Sequence, residues 1–538
     1  MATGKTKGSV KYEDIISKSL LVRSGSPAVY QLRPKKEEIG SLRRMTLGEK
    51  DLNQTNRTIL LVGETGTGKS ALVNTLVNYT MGVKWEDDVW FQIVEEEKRN
   101  QSESQTSDVF VYQIFGFEGK TLPYSLTIID TPGYGDTRGT ERDVIISERL
   151  LDWFRSDDGV HEINAVGLVL KAAENRLSDR LMYIFDSVVS LFGKDMEQNI
   201  VALITHSDGL TPENALKALK DANIKCAKDE DGDLLHFMFN NCQTKEKKKK
   251  TETGLKRAWD VTSDGISQFT DFLETAKPQK LMTTVCVLNE RKVLKACIEN
   301  LRSRIEHVEL QQREVKQTEE ALREHQREME NNENFIQEVD EVYKDKQPID
   351  GGMCGVFWAW YRAATSCKVC EETCHYPGCE ESWSATGCKV MKDGRCTVCT
   401  GKCLASDHVK EKWIYVCKTR KVKQTMEDVK KKYEKNKKGH ESKLSLLENL
   451  RRKMKELEKE KDQMFDESFH QVVKLQQIAL KVDSLSTLVH LDFLIEKMKE
   501  KGDTEKIQKL EEMKSRVEET TRAAARYRQT GSVEEVKK

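Results

Sequence analysis

The chain has 538 residues, room for two to four domains at about 100–200 residues each, and 33% of them are charged. That share lies above the roughly 25% usual for globular chains and suits long solvated helices better than one compact body. Lys+Arg (88) and Asp+Glu (89) nearly cancel, so no global field selects nucleic acid, an anionic membrane or an acidic partner.

The opening MATGKTKGSVKYEDIISK lacks the apolar core of a signal peptide. Ala2 removes the myristoylation pattern, and the closing VEEVKK carries no prenylation box. No stretch approaches the 18 or so apolar residues of a spanning helix. The expectation is a cytoplasmic protein without a transmembrane segment, in a compartment where thiols stay reduced.

Residues 1–54 are polar and weakly patterned, which predicts a partly disordered lead-in with a helix or two. Residues 55–280 then alternate short apolar runs with longer amphipathic stretches. The runs Thr58–Val62, Leu126–Ile129, Ala165–Leu170, Ile200–Ile204 and His236–Phe239 have the length and continuity of buried parallel strands. Helical spacers between them predict an α/β P-loop NTPase domain with a mostly parallel sheet and its ligands at the carboxyl ends of the strands.

Directly after the first run comes Gly63, Glu64, Thr65, Gly66, Thr67, Gly68, Lys69, Ser70, a complete G-x-x-x-x-G-K-S. The glycines let backbone N–H groups face phosphates, Lys69 reaches the β/γ oxygens, and Ser70 ligates Mg²⁺. The helix that starts at Ala71 aims its N-terminus at the anion. Asp130, Thr131, Pro132 and Gly133 follow the second run, where an acidic side chain holds the magnesium water shell and the Gly133 amide senses a γ-phosphate. Thr205, His206, Ser207 and Asp208 follow the fourth. A carboxylate at Asp208 accepts the N1–H and 2-amino groups of guanine, a pair adenine does not offer. His206 replaces the customary Lys, so an imidazole stands where an aliphatic stem packs on the base.

Taken together, GETGTGKS, IIDTPGYGDTRG, LFGKD, THSD and FNN resemble the septin-related and AIG1-type (immunity-associated) GTPases of the translation-factor class, over about residues 55–280. The resemblance implies that GTP or GDP binds with Mg²⁺, that Lys69 and Ser70 take phosphate and metal, and that Asp208 reads guanine. It further implies that Asn240 and Asn241 contribute to the base pocket and that a switch Thr lies before the second strand, for which Thr106 is the choice. Lys69 and Thr106 are the expected catalytic groups; Ser70, Thr106 and Asp130 are the expected Mg²⁺ ligands or water-shell holders. Tyr134 stands where Ras-like proteins place a water-orienting Gln, so hydrolysis is expected to be slow unless a second protomer or a partner completes the site. Arg138 and Arg142 lie just beyond, as surface charge or as residues acting in trans.

The run Lys245–Lys250 is expected to be a solvated loop. Residues 285–347 show a heptad through Leu294, Leu301, Val308, Val315, Leu322, Met329, Ile336 and Tyr343, predicting a coiled-coil helix that ends near Gln347–Pro348. Residues 354–417 hold ten of the 14 cysteines. Within them Cys367, Cys370, Cys374 and Cys379 are repeated 29 residues on as Cys396, Cys399, Cys403 and His408. Each quartet offers four soft donors, the set that a structural tetrahedral Zn²⁺ takes, so about two zinc ions are expected. Sequential sites and a cross-braced pair both satisfy the spacing, and His375 or Cys388 is a possible substitute ligand. The aromatic cluster Phe357–Tyr361 is the expected apolar core of this module. Residues 418–538 return to heptads and helical patterning, which predicts an antiparallel helical hairpin with the zinc module at its tip.

Two functions follow as expectations. One is a GTP-binding switch or assembly scaffold, a slow or dimer-activated GTPase that forms homo-dimers or oligomers and engages protein partners. The alternative is an adaptor whose zinc module contacts the ubiquitin pathway or RNA under G-domain control.

Overall fold

The computed structural model describes residues 11–39, 42–95, 109–131, 150, 153–154, 159–324, 336–349, 363–376, 384–425, 428, 432, 446–480 and 485–515. The chain divides into two compact units. The first comprises Met1–Leu288, Ile478–Leu488 and Met513–Lys538, and the second Asn289–Gln477 and Val489–Glu512. Among the described residues no helix is long and apolar enough to cross a membrane.

An eight-stranded sheet organises the first unit. Its strands are β1 (Lys35–Ile39), β2 (Leu42–Leu47), β3 (Asn56–Val62), β4 (Val109–Ile114), β5 (Ser125–Asp130), β6 (Ala165–Lys171), β7 (Ile200–Thr205) and β8 (His236–Met238), in the spatial order β8-β7-β6-β3-β5-β4-β2-β1. The five strands from β8 to β5 are mutually parallel, and β4 pairs antiparallel with β5. Helices α1 (Lys69–Thr80), α2 (Asp179–Val189), α3 (Glu213–Asp221) and α4 (Glu252–Thr275) cover the sheet. Because side chains alternate across a strand, Leu60, Val62, Leu168 and Ile204 meet α2 and α3 in one core. Ile59, Leu61, Val169 and Leu203 meet α1 and α4 in the other. Burial on both faces is the reason these strands are continuous apolar runs rather than alternating ones.

Of the loose lead-in expected for residues 1–54, the described residues 11–39 and 42–54 are ordered differently. Strands β1 and β2 extend the main sheet, with β2 parallel to β4. Leu20–Arg23 and Ala28–Gln31 form a second sheet with Val89–Gln92. Tyr12 is buried and its hydroxyl donates to the Gly82 carbonyl at 2.7 Å. Lys35–Ile39 and Leu42–Leu47 are too charged, and Leu20–Arg23 and Ala28–Gln31 too short, to stand out in a sequence pattern, and pairing with distant strands stabilises them.

In the second unit, α5 (Met282–Glu324, whose first turns belong to the first unit) runs antiparallel to α6 (Leu446–Ile478). Ion pairs join Glu290 to Lys474 at 2.5 Å, Glu309 to Lys461 at 3.2 Å and Glu319 to Arg451 at 3.5 Å, so positions descend on one helix as they rise on the other. Leu294, Leu301, Val308 and Val315 of the expected heptad are buried on α5, as are Leu450, Leu457 and Met464 on α6. Helices α7 (Leu485–Lys501) and α8 (Thr504–Ser515) follow.

The helical reading fails from Ile336 onward. Strand β9 (Ile336–Pro348) pairs antiparallel over its full length with β13 (Trp413–Thr425), from Ile336↔Thr425 to Pro348↔Trp413. Beyond Ile305 the companion seam of the heptad is polar, ending in Glu333 and Asp340, so a helix here has no second apolar stripe to bury. The ribbon instead matches β-branched and aromatic positions with cross-strand charges: Glu341 to Arg420 at 2.7 Å and Asp345 to Lys418 at 2.6 Å. Nor is the cysteine-rich module at the far end of a helical hairpin. Asp340 meets Gln317 at 3.2 Å, and the Cys417 thiol lies against the Ser303 carbonyl. The ribbon therefore folds back along α5 and brings the module to Ala296 and Cys297. The module's own strands are β10 (Ala364–Cys367), β11 (Glu372–His375) and β12 (His408–Glu411).

Candidate functional site

Gly68 closes the loop between β3 and α1 with φ +96°, a left-handed conformation in which a side chain is strained. Lys69, the first residue of α1, is buried and donates from Nζ to the carbonyls of Gly63 (2.6 Å) and Glu64 (3.0 Å). Thr67 closes the turn on the Glu64 carbonyl at 2.8 Å, while Thr65, Gly66 and Ser70 are exposed and Ala71 half-buried around it. Burial pulls the Lys69 ammonium below its ordinary value, opposed by the nearby Asp130 and Glu64 carboxylates.

Asp130 ends β5 in the same cradle. Burial pushes its carboxyl up to about 6, against the pull of Lys69. Its Oδ1 is buried with no hydrogen-bond partner. A buried orphan carboxylate oxygen beside a phosphate loop fits the water shell of a divalent cation. Thr131 turns inward, its hydroxyl donating to the Leu61 carbonyl at 2.8 Å. Thr106, Gly133, Tyr134, Arg138 and Arg142 lie outside the described residues.

Thr205 ends β7 and donates to the Thr67 carbonyl at 2.6 Å, which fastens the base-side strand to the phosphate loop. His206 follows with φ +54°. Desolvation, with Lys171 and Lys245 nearby, holds its ring below its ordinary value. Asp208 is exposed, with Oδ1 accepting the Leu210 N–H at 3.0 Å. The amide of Asn240 donates to the Ser207 carbonyl at 2.6 Å, and Asn241 Oδ1 accepts from Thr75 of α1 at 3.2 Å. The THSD and FNN loops and α1 are thus joined by side chains, and Asn241 Nδ2 is buried and unpartnered.

Several positioning residues escaped sequence reasoning. Thr262 Oγ1 of α4 accepts the N–H of Asn240 at 3.0 Å and of Asn241 at 3.3 Å. Arg180 of α2 lies 3.4 Å from the Glu64 carboxylate, a cation beside the phosphate loop. Asn74 and Asn78, buried on α1, bind the backbone of Phe91, Ile93 and Val94. Two asparagines four apart in a helix were the available signal, since they are poor helix formers unless their amides are used. Lys247, expected in a solvated run, bonds the Trp85 carbonyl and Asp88 at 2.6 Å each and sits 3.8 Å over the Trp85 ring.

In the second unit, cysteines from both repeats interleave. Cys367, Cys370, Cys399 and Cys403 form one set, and Cys374, Cys396, Cys399 and His408 another, with ligand atoms of each set within 4.8 Å of one another. The arrangement is cross-braced, not sequential. Cys379 lies outside the described residues, as does the Phe357–Tyr361 cluster. His375 and Cys388 pair with each other at 3.2 Å instead of joining either set. None of the described cysteines is in a disulfide.

The donor chemistry fits zinc. Backbone N–H groups of Cys370, Val398, Cys399, Gly401 and Cys403 point at sulfur within 3.4 Å. His408 donates from Nδ1 to the Leu404 carbonyl at 2.9 Å and leaves Nε2 buried without a partner, the tautomer and aim of a metal-ligating imidazole. Burial pushes the Cys367 thiol up to about 12. Glu372 is no general base, because Thr400, Asn300 and Arg304 take up its carboxylate.

The fold and the phosphate cradle define a P-loop G domain. Residues 57–263 match the AIG1 family model, and this part of the chain is an AIG1-type G domain. Among solved structures, a dimerisation-deficient mutant of Toc33 from Arabidopsis thaliana is 20% identical, over 42% of this chain and 87% of that one, with a TM-score of 0.29. Toc33 in complex with Mg²⁺ and GMPPNP is 18% identical, over 42% and 88%, at 0.28. The elongation factor SelB from Methanococcus maripaludis in its apo form is 15% identical, over 42% and 35%, at 0.21. No curated protein matches the sequence.

Proposed function

We propose that this protein binds GTP and GDP with Mg²⁺ and acts as a nucleotide-dependent switch or assembly scaffold, with slow hydrolysis that a second copy or a partner accelerates. The observation that carries this reading is the buried, unpartnered Asp130 oxygen held in one cradle with Lys69. Lys69 takes the β/γ-phosphate, Ser70 and Asp130 serve the metal or its waters, and Asp208 reads the guanine edge. Activation in trans follows from Tyr134, which has no amide to orient a water. The second unit is braced by two zinc ions on the interleaved cysteines.

Nucleotide extracted from the purified protein is expected to be guanine-based, and the hydrolysis rate per molecule should rise with protein concentration. Adenine nucleotide, or none in a Lys69-competent sample, overturns the reading.

One observation favours the second reading, a zinc-module adaptor. Val369 and Leu404 are exposed apolar residues, each adjacent to a ligand cysteine. Partner capture that survives Lys69→Ala but is lost on changing Cys396 and Cys399 would select it.

A further inference from the structure

The two candidate metal sets are not independent. Two tetrahedral ions have eight ligand places, whereas the described residues converge only seven donors, because Cys399 belongs to both sets. We propose that Cys399 is a bridging thiolate that holds two zinc ions at once, making the module a binuclear cluster of six cysteines and one histidine. This rests on the zinc reading above.

The position of Cys399 suits that role. It closes the Cys396-x-x-Cys399 knuckle, in which the N–H groups of Val398 and Cys399 bond Cys396 Sγ at 3.3 and 3.4 Å. One turn later the Cys403 N–H bonds Cys399 Sγ at 3.3 Å, and Cys403 Sγ lies 3.6 Å from Cys370 Sγ. Cys399 thereby faces the first repeat's Cys367 and Cys370 on one side and Cys374 with His408 on the other. Sulfurs that share a tetrahedral zinc at about 2.3 Å stand about 3.8 Å apart, near the spacings found here. Cys399 is fully buried and accepts one amide where Cys396 accepts two. A sulfur bonded to two metals has one lone pair fewer to satisfy, and buried acceptors left over are costly.

The 29-residue repeat offers the rival arrangement, in which Cys379, the counterpart of His408, supplies an eighth ligand and the ions share nothing. Full-length protein separates the two. The shared ligand predicts two zinc per chain, a zinc–zinc scattering distance of about 3.8 Å in X-ray absorption, from two 2.3 Å bonds at a near-tetrahedral sulfur, and antiferromagnetic coupling after cobalt(II) replacement. Cys379→Ala should retain both ions and that distance. Cys399→Ala should lose both ions or, where the chain still folds, keep one and lose the coupling. Two ions with no metal–metal signal, of which Cys379→Ala loses one, would overturn the bridge and leave the zinc reading standing. One ion per chain also overturns the bridge. A chain purified without zinc that takes up neither metal overturns both.

Discussion

Protonation of Asp130 is expected to set the pH range over which magnesium strengthens nucleotide binding. With its carboxyl at about 6, the group is almost wholly ionised at pH 7.5, half protonated at pH 6 and about nine-tenths protonated at pH 5. Only the carboxylate holds the cation's waters, so the magnesium-dependent gain in affinity should fall about twofold at pH 6 and about tenfold at pH 5. The sign for metal-free protein is opposite. A carboxyl raised above its ordinary 3.8 penalises the fold when ionised, so this group's contribution is full below 3.8 and is lost as pH rises through about 6. The loss is at most about 3 kcal/mol. The assay is titration of a fluorescent guanine nucleotide with magnesium or with chelator from pH 5 to 8. The ratio of wild type to Asp130→Asn cancels the phosphate's own protonation. His206→Gln should keep the break while Asp130→Asn removes it. A ratio flat across pH 6, or a break that persists in Asp130→Asn, refutes the assignment of Asp130 to the metal.

Asp208→Asn should exchange guanine for xanthine preference, because the amide oxygen still accepts the N1–H that both bases carry while the amide N–H donates to the 2-oxo group of xanthine and cannot accept from the 2-amino group of guanine. Competition between the two triphosphates measures this, and retained guanine preference would remove Asp208 from the base site. At Gly265 on α4 an added Cβ would stand 1.9 Å from the Met238 carbonyl oxygen. Gly265→Ala should therefore cost about 3 kcal/mol or more, visible as a lower unfolding midpoint, and an unchanged midpoint would contradict this packing. Glu372→Ala frees Thr400 and leaves the Arg304 guanidinium with less compensation. It should cost about 3 kcal/mol and speed zinc loss to a chelator, with Glu372→Gln intermediate; equal rates in all three proteins would refute the bracing role.

The G domain was legible because its information is local. Each buried strand is a continuous apolar run, and the phosphate loop, Asp130 and Asp208 each sit at the end of such a run, so chain order alone places them on one edge of a parallel sheet. Even there, Thr262 and Arg180 were out of reach, since each acts on a backbone or side chain far from itself in sequence, and the Asn74 and Asn78 pair signals that its amides are used but not by which backbone groups. Heptad spacing located the buried faces of α5 and α6 for the same local reason. It failed at Ile336 and Tyr343, because the strand that pairs with this segment, Trp413–Thr425, is distant in the chain and leaves no local signal.

The cysteine repeat marks the limit most clearly. Spacing marked which side chains are soft donors, because donor chemistry belongs to the residue itself. Only the folded chain decided that Cys374 leaves its own repeat for Cys396 and His408, while Cys403 crosses to Cys367 and Cys370. Coordination selects donors by distance in space, and the close of a long loop, here the β9–β13 ribbon returning along α5, sets that distance.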